Sequence, residues 1–137
     1  MERPTTPGEL RRAAGFTLIE LVTVIALVAI LAAIALPNYR VAIVQSKEAV
    51  LREDLYRLRD LIDQYYLDKG QYPATLDALV DDGYLRKLPN DPITQQADWT
   101  PVFTEPDPDR PGEPPGVYDV KSASEAPSLQ GTPYNEW

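Results

Sequence analysis

Residues 16–36 form an apolar segment that is long enough to cross a lipid bilayer. Only three polar side chains interrupt it, those of Thr17, Glu20 and Thr23. As an α-helix the segment would span about 31 Å at 1.5 Å per residue, which matches one membrane crossing. Glu20 is unusual in such a helix, because an acidic side chain at a bilayer centre costs roughly 2.5–3.5 kcal/mol. The segment therefore predicts a membrane helix whose carboxylate needs a neutralising partner.

The helical pattern continues past this segment to Lys69 and Gly70, which are typical of a helix end. Pro37 lacks a backbone N–H and clashes with the carbonyl group four residues earlier, so we expect a kink there. Beyond it, apolar residues recur at helical spacing and predict one buried stripe: Val44, Leu51, Leu55, Leu58, Ile62 and Tyr65. The other face is charged: Lys47, Glu48, Arg52, Glu53, Arg57, Arg59, Asp60 and Asp63. We therefore predict one long helix over residues 16–69.

The remainder of the chain predicts a small antiparallel sheet and little else that is regular. A short helix is expected over 76–80, and strands over 99–104 and 116–121. The proline-rich stretch 105–115 between the strands is expected to be an exposed loop, and 122–137 a tail without clear regular structure. The predicted fold class is α+β, with the stripe of the kinked helix packed on the sheet and Tyr65, Tyr66 and Tyr72 at the junction.

Composition excludes several classes of function. The chain has no Cys and no His, which rules out disulfides, thiol nucleophiles and histidine-dependent catalysis. Its net charge of −8 disfavours a nucleic-acid partner, because phosphate binding requires a basic surface. The loop carboxylates Asp107, Asp109 and Glu113 are expected to be solvated, so nothing separates their pKa values for acid–base work. We therefore do not predict an enzyme.

The apolar segment alone permits more than one interpretation. The small residues Ala33 and Ala35 are typical of a signal-peptidase site, which would release a secreted binding domain beginning at Leu36. Against this interpretation, the segment contains a glutamate and its helix continues beyond the expected cut. A simple signal anchor would leave Glu20 unexplained.

The sequence GFTLIE at residues 15–20, preceded by Arg11 and Arg12, resembles the processing site of type IV pilins and type II secretion pseudopilins. The resemblance implies that a prepilin peptidase cuts between Gly15 and Phe16 on the cytoplasmic face and methylates the new amine of Phe16. It implies a cleaved leader over 1–15, a transmembrane and assembly helix over 16–36, and a periplasmic pilin-like domain over 37–137. The expected location is the bacterial inner membrane, in a single pass.

The same resemblance provides a partner for Glu20. Cleavage creates an ammonium group at Phe16, and in a staggered filament this group can meet the Glu20 of a neighbouring subunit. Paired in an apolar filament core, each charge offsets much of the other's desolvation. The alternative is a Glu20 side chain that reaches the lipid headgroups, since it lies only four residues into the span.

Later motifs resemble the major pseudopilin more closely. They are Gly70, Tyr72 and Pro73 at the helix end, the turn Asn90-Asp91-Pro92, the last strand around Tyr118, and the terminal Trp137. The resemblance implies a pseudopilus subunit whose partners are further copies of itself, minor pseudopilins, the prepilin peptidase, a membrane platform protein and an assembly ATPase. A type IV pilin with an adhesive or motile role is the alternative, and the lack of cysteine favours the pseudopilin.

That subgroup also stabilises its C-terminal loop with calcium. In this sequence the oxygen ligands would come from Asp119, Ser122, Ser124 and Glu125. The loop contains less Gly and Asp than the subgroup's pattern, and a solvated polar tail is the competing interpretation.

Overall fold

The structure, a computed structural model, describes residues 15–105, 112 and 114–137. In chain order its elements are helix α1 (Leu18–Lys69), helix α2 (Asp77–Asp81), strand β1 (Thr100–Phe103), strand β2 (Val117–Lys121) and a short 3-10 helix (Tyr134–Glu136). One long N-terminal helix with a two-stranded antiparallel sheet confirms the predicted α+β, pilin-like fold. The chain divides into two compact units, Met1–Tyr39 and Arg40–Trp137.

The first unit contains the apolar part of helix α1. In the described part of the chain this helix alone is long and apolar enough to cross a membrane. The large apolar side chains of this stretch are exposed, from Phe16 at 87%, just before the helix, to Leu36 at 63%. Helix α1 runs through Pro37 without interruption, and the kink expected there stays a prediction.

The second unit has one hydrophobic core, and the amphipathic part of helix α1 contributes most of it. Five of the six predicted stripe residues are buried: Leu51, Leu55, Leu58, Ile62 and Tyr65. They pack with Leu76, Leu79, Trp99, Val117, Val120 and Tyr134 from the rest of the unit. Val44 is only half-buried, and Glu48, which was predicted on the charged face, is buried.

The two strands pair as the sequence predicts. Pro101 lies opposite Val120, and the register shifts between Val102 and Phe103. Val117 and Val120 point into the core and are fully buried, whereas Tyr118 is exposed on the other face. The irregularity explains why two buried side chains are three positions apart instead of two.

The end of helix α1 is closed by a glycine and covered by tyrosines. Gly70 adopts a left-handed backbone with φ of 72° and donates its N–H to the carbonyl oxygen of Tyr66, 2.8 Å away. The rings of Tyr66 and Tyr72 stack with centroids 4.4 Å apart, and Tyr65 contacts Tyr84 at 5.3 Å. The predicted aromatic packing at this junction is confirmed.

The C-terminal tail is more ordered than its sequence predicts. The expectation of no clear regular structure over 122–137 is wrong, because this stretch contains the 3-10 helix and a β-bridge between Pro127 and Pro133. Tyr134 is 3% exposed and belongs to the core. The tail is therefore part of the packed domain.

Candidate functional site

The sequence places the candidate assembly site at the start of helix α1. Gly15 and Phe16 precede the helix, and both are exposed. Arg11, Arg12 and the rest of the predicted leader up to residue 14 lie outside the described residues, as do Asp107, Asp109 and Glu113 of the proline-rich loop. The start of the helix is two residues later than predicted, at Leu18.

Thr17 explains this later start, because its side chain caps the helix. The Thr17 hydroxyl oxygen accepts a hydrogen bond from the backbone N–H of Glu20 at 3.2 Å, and the Thr17 carbonyl accepts from the N–H of Leu21 at 3.1 Å. A threonine cap with glutamate three residues later is the sequence pattern of a capping box, and the bond from the Glu20 N–H to Thr17 is one half of it. This role was not predicted from the sequence, although the spacing Thr-x-x-Glu is itself a helix-start pattern.

Glu20 thus occupies the first turn of the helix, where a negative charge interacts favourably with the helix dipole. Its neighbours along the chain, Ile19 and Leu21, are apolar and exposed at 72% and 54%. The ion pairs among the described residues involve other carboxylates: Glu48, Glu53, Asp82 and Asp119. The arrangement presents a carboxylate on an apolar helix surface, close to the position where cleavage would create an amine.

Three of the four calcium ligands named from the sequence are engaged in other contacts. Asp119 Oδ1 accepts hydrogen bonds from Arg59 Nε at 2.6 Å and from the N–H of Val120 at 2.7 Å. Ser122 is buried, and its hydroxyl donates to Asp91 Oδ2 at 2.5 Å. The Ser124 hydroxyl accepts from the N–H of Ala126 at 3.3 Å.

These contacts do not fit a calcium site. Calcium requires six to eight converging oxygen ligands, usually with several carboxylates. The described residues hold no group of three acidic side chains that could bind a metal ion. The guanidinium of Arg59 already neutralises the Asp119 carboxylate, and Glu125 is exposed.

Two charged residues that the sequence analysis placed on the solvated helix face lie instead at internal contacts. Glu48 is 4% exposed and binds the tail, and Arg59 joins helix α1 to strand β2. Helical spacing places Glu48 three residues before Leu51, on the edge of the apolar stripe. That position was the one available indication that it faces inward.

Comparison with protein families finds the prokaryotic N-terminal methylation motif, which matches residues 10–36. The match covers Gly15, Phe16, Thr17 and Glu20 together with the apolar part of helix α1. It therefore spans the predicted membrane helix and the residues just before it.

Comparison with curated proteins finds relatives that extend beyond this motif. The type II secretion system core protein G of Pseudomonas aeruginosa is 38% identical over 98 residues, covering 60% of this chain and 69% of the relative. The protein of the same name from Aeromonas hydrophila is 36% identical over 98 residues, covering 60% and 68%. The one from Escherichia coli K12 is 31% identical over 125 residues, covering 80% and 79%. No solved structure gives a significant match.

Proposed function

The chain belongs to the family of the type II secretion system core protein G, the pseudopilins, and from this premise we propose how its N-terminal segment is processed, inserted and assembled. It is a structural subunit of a pseudopilus and has its place in a type II secretion system. The observation that carries the proposal is the N-terminal methylation motif, which coincides with an exposed apolar helix that has one carboxylate in its first turn.

In the proposed maturation, a prepilin peptidase hydrolyses the peptide bond between Gly15 and Phe16 and methylates the new amine of Phe16. The motif match across this junction supports the assignment. Residues 1–15 contain Arg3, Arg11 and Arg12 against Glu2 and Glu9, a net charge of +1. The mature chain then has 137 − 15 = 122 residues and a net charge of −8 − 1 = −9.

In the proposed topology, residues 16–36 cross the inner membrane once. The leader faces the cytoplasm, as the two arginines next to the apolar segment indicate. Residues 37–137 then form the periplasmic domain. Support for the span comes from its length and from large apolar side chains that remain exposed in the isolated chain.

Assembly in this proposal brings the Phe16 amine of one subunit to the Glu20 carboxylate of its neighbour. Both groups are then removed from water among packed apolar helices, where an unpaired charge is costly and a pair is tolerated. The pair can form at one stagger between neighbouring subunits, so it would select the register of the filament. The capped helix start supports this function, because Thr17 holds the backbone at Glu20 in a defined conformation.

The partners of the subunit follow from this assembly. They are further copies of the chain, minor pseudopilins, the prepilin peptidase, an inner-membrane platform protein and an assembly ATPase. The relatives favour this set over that of a type IV pilus, because those cited above carry the name of a secretion-system component.

Electron microscopy of cells tests the proposed assembly. We expect that the chain, produced together with a prepilin peptidase and its own assembly proteins, forms short periplasmic fibres that an antibody against residues 37–137 labels. The same cells with a catalytically inactive peptidase should form none, because the amine at Phe16 is not released. Long surface pili would contradict a secretion role, and fibres without peptidase activity would contradict the proposed maturation.

A further inference from the structure

Two charged side chains of helix α1, Glu48 and Arg59, bind the C-terminal segment, residues 119–137, at several points. We propose that these two side chains fix the C-terminal segment to the helix and that no divalent cation takes part. The proposal concerns the domain Arg40–Trp137 and is independent of how the N-terminal helix is processed or assembled.

Glu48 binds the middle of the segment. Its Oε1 accepts hydrogen bonds from the backbone N–H of Leu129 at 2.7 Å and from the hydroxyl of Tyr134 at 3.0 Å. Arg52 Nη2 lies 3.7 Å from Glu48 Oε2 and supplies the opposite charge. A buried carboxylate is tolerated only when hydrogen-bond donors and an opposite charge surround it. Glu48 therefore favours the one position of the C-terminal segment in which Leu129 and Tyr134 donate to it.

Tyr134 is the hydroxyl donor in this contact with Glu48. Its burial, together with its hydrogen bond to Glu48, raises the pKa of its hydroxyl above the ordinary value. The hydroxyl therefore stays protonated and remains a donor to the carboxylate. Its ring also contacts that of Trp137 edge to face, with centroids 5.2 Å apart.

Arg59 binds both ends of the segment with one guanidinium group. Nε donates to Asp119 Oδ1 at 2.6 Å, while Nη2 donates to the backbone oxygens of Val120 at 3.0 Å and Trp137 at 2.9 Å. The planar group thus joins strand β2 to the last residue of the chain. Lysine could not replace it, because a single ammonium lacks this fixed fork of donors.

Trp137 is held from a second direction by Arg52. The guanidinium carbon of Arg52 lies 4.4 Å from the centroid of the Trp137 ring, a cation–π contact. Arg52 therefore contacts both Glu48 and Trp137. The contacts of Glu48, Arg52 and Arg59 together span the segment from Asp119 to Trp137.

These contacts take the place that a cation would need. The guanidinium of Arg59 lies 2.6 Å from Asp119 Oδ1, so its positive charge repels a divalent ion. Its hydrogen bond also engages that carboxylate oxygen. The buried Ser122 hydroxyl donates a hydrogen bond to Asp91 and accepts one from the backbone N–H of Ser124, so Ser122 and Asp91 are both engaged with protein partners. Hydrogen bonds and ion pairs between protein groups therefore hold the C-terminal segment in place.

The test uses the full chain in detergent, with thermal unfolding and trypsin cleavage after Lys121 as two measurements. Arg59→Met and Glu48→Ala are compared with Arg57→Met and Glu53→Ala, which change an exposed ion pair on the same helix. We expect Arg59→Met and Glu48→Ala each to lower Tm by roughly 5–15 °C, and the controls by less than about 3 °C. Release of peptide 122–137 should accelerate about tenfold in the two test variants.

Calcium at millimolar concentration and a chelator should each change the Tm of the unmodified chain by less than about 2 °C. A larger stabilisation by calcium would overturn the proposal, as would test variants that behave like their controls in both measurements. If Arg59→Met yields no folded protein, the same measurements on Arg59→Lys test the proposal. Faster release of peptide 122–137 from that variant supports the proposal, and unchanged release overturns it.

Discussion

Replacing Glu20 with alanine is expected to reduce fibre formation severely while leaving the folded domain Arg40–Trp137 intact. In the proposed filament the Glu20 carboxylate faces the methylated amine of a neighbouring Phe16 in an apolar core. Removing it leaves a buried ammonium without a partner at every contact between subunits, and that loss is severe in a low-dielectric environment. We expect at least about a tenfold loss of fibres, measured by electron microscopy and by crosslinking of subunits in membranes.

Three variants separate this effect from others. Glu20→Gln keeps the size of the side chain but removes the charge, and it should behave like Glu20→Ala. Thr17→Ala removes the helix cap, and the loss of a capping residue costs about 1 kcal/mol, so it should reduce fibres only mildly. Glu53→Ala changes an exposed carboxylate far from the membrane segment and should have no effect. Normal fibre amounts with Glu20→Ala would show that the carboxylate does not organise the contact between subunits.

The second large effect is expected in the core of the domain. Ile62 is fully buried, at 0% exposure, and packs within the cluster that joins helix α1 to the sheet. Ile62→Ala should reduce the free energy of unfolding by about 2–5 kcal/mol, because it removes buried apolar volume and leaves a cavity. Denaturant unfolding of the full chain in detergent, followed by the tyrosine and tryptophan signals of the domain, measures this loss.

Leu67→Ala is the matched control, since Leu67 lies on the same helix and is 81% exposed. It should change the free energy of unfolding by less than about 0.5 kcal/mol. Equal losses for the two variants would mean that the amphipathic stripe does not form the core.

Periodicity predicts those parts of the fold that are repetitive. Helix α1 follows from an apolar segment joined to a stripe, and its end at Lys69 follows from the glycine beside it. The two strands follow from short alternating runs on either side of a proline-rich loop. In each case the information is local, because neighbouring residues determine the element.

Contacts between distant parts of the chain were not predictable in this way. Glu48 binds residues 81 and 86 positions away, and Arg59 binds residues 60, 61 and 78 positions away. On a helical projection Arg59 belongs to the charged face and Glu48 lies at the edge of the apolar stripe, and only the folded tail shows which groups they bind. The tail itself has little periodicity, so its 3-10 helix and its buried Tyr134 were predicted as irregular chain.

The calcium expectation shows the same limitation. Asp119, Ser122, Ser124 and Glu125 are close in sequence and carry suitable oxygens. Whether those oxygens are available depends on Arg59 and Asp91, which lie elsewhere in the chain. Their closeness in the sequence suggested a set of calcium ligands. In the folded chain Asp119, Ser122 and Ser124 make hydrogen bonds to other protein groups instead.

More of the function could be predicted from the N-terminal segment than from the rest of the chain, because its functional residues are close together in the sequence. The proposed cleavage position, the apolar helix and Glu20 all lie within residues 15–36, and the family motif matches that stretch. The Thr17 cap was overlooked there, although its pattern is equally local.

Mass spectrometry of the mature chain tests the central claim most directly. We expect an N-terminus at Phe16 that carries one methyl group, on a chain of 137 − 15 = 122 residues. That species creates the amine that Glu20 is proposed to meet. A chain beginning at Leu36, released by a signal peptidase, would contradict the account, and so would a subunit that enters fibres with its leader still attached.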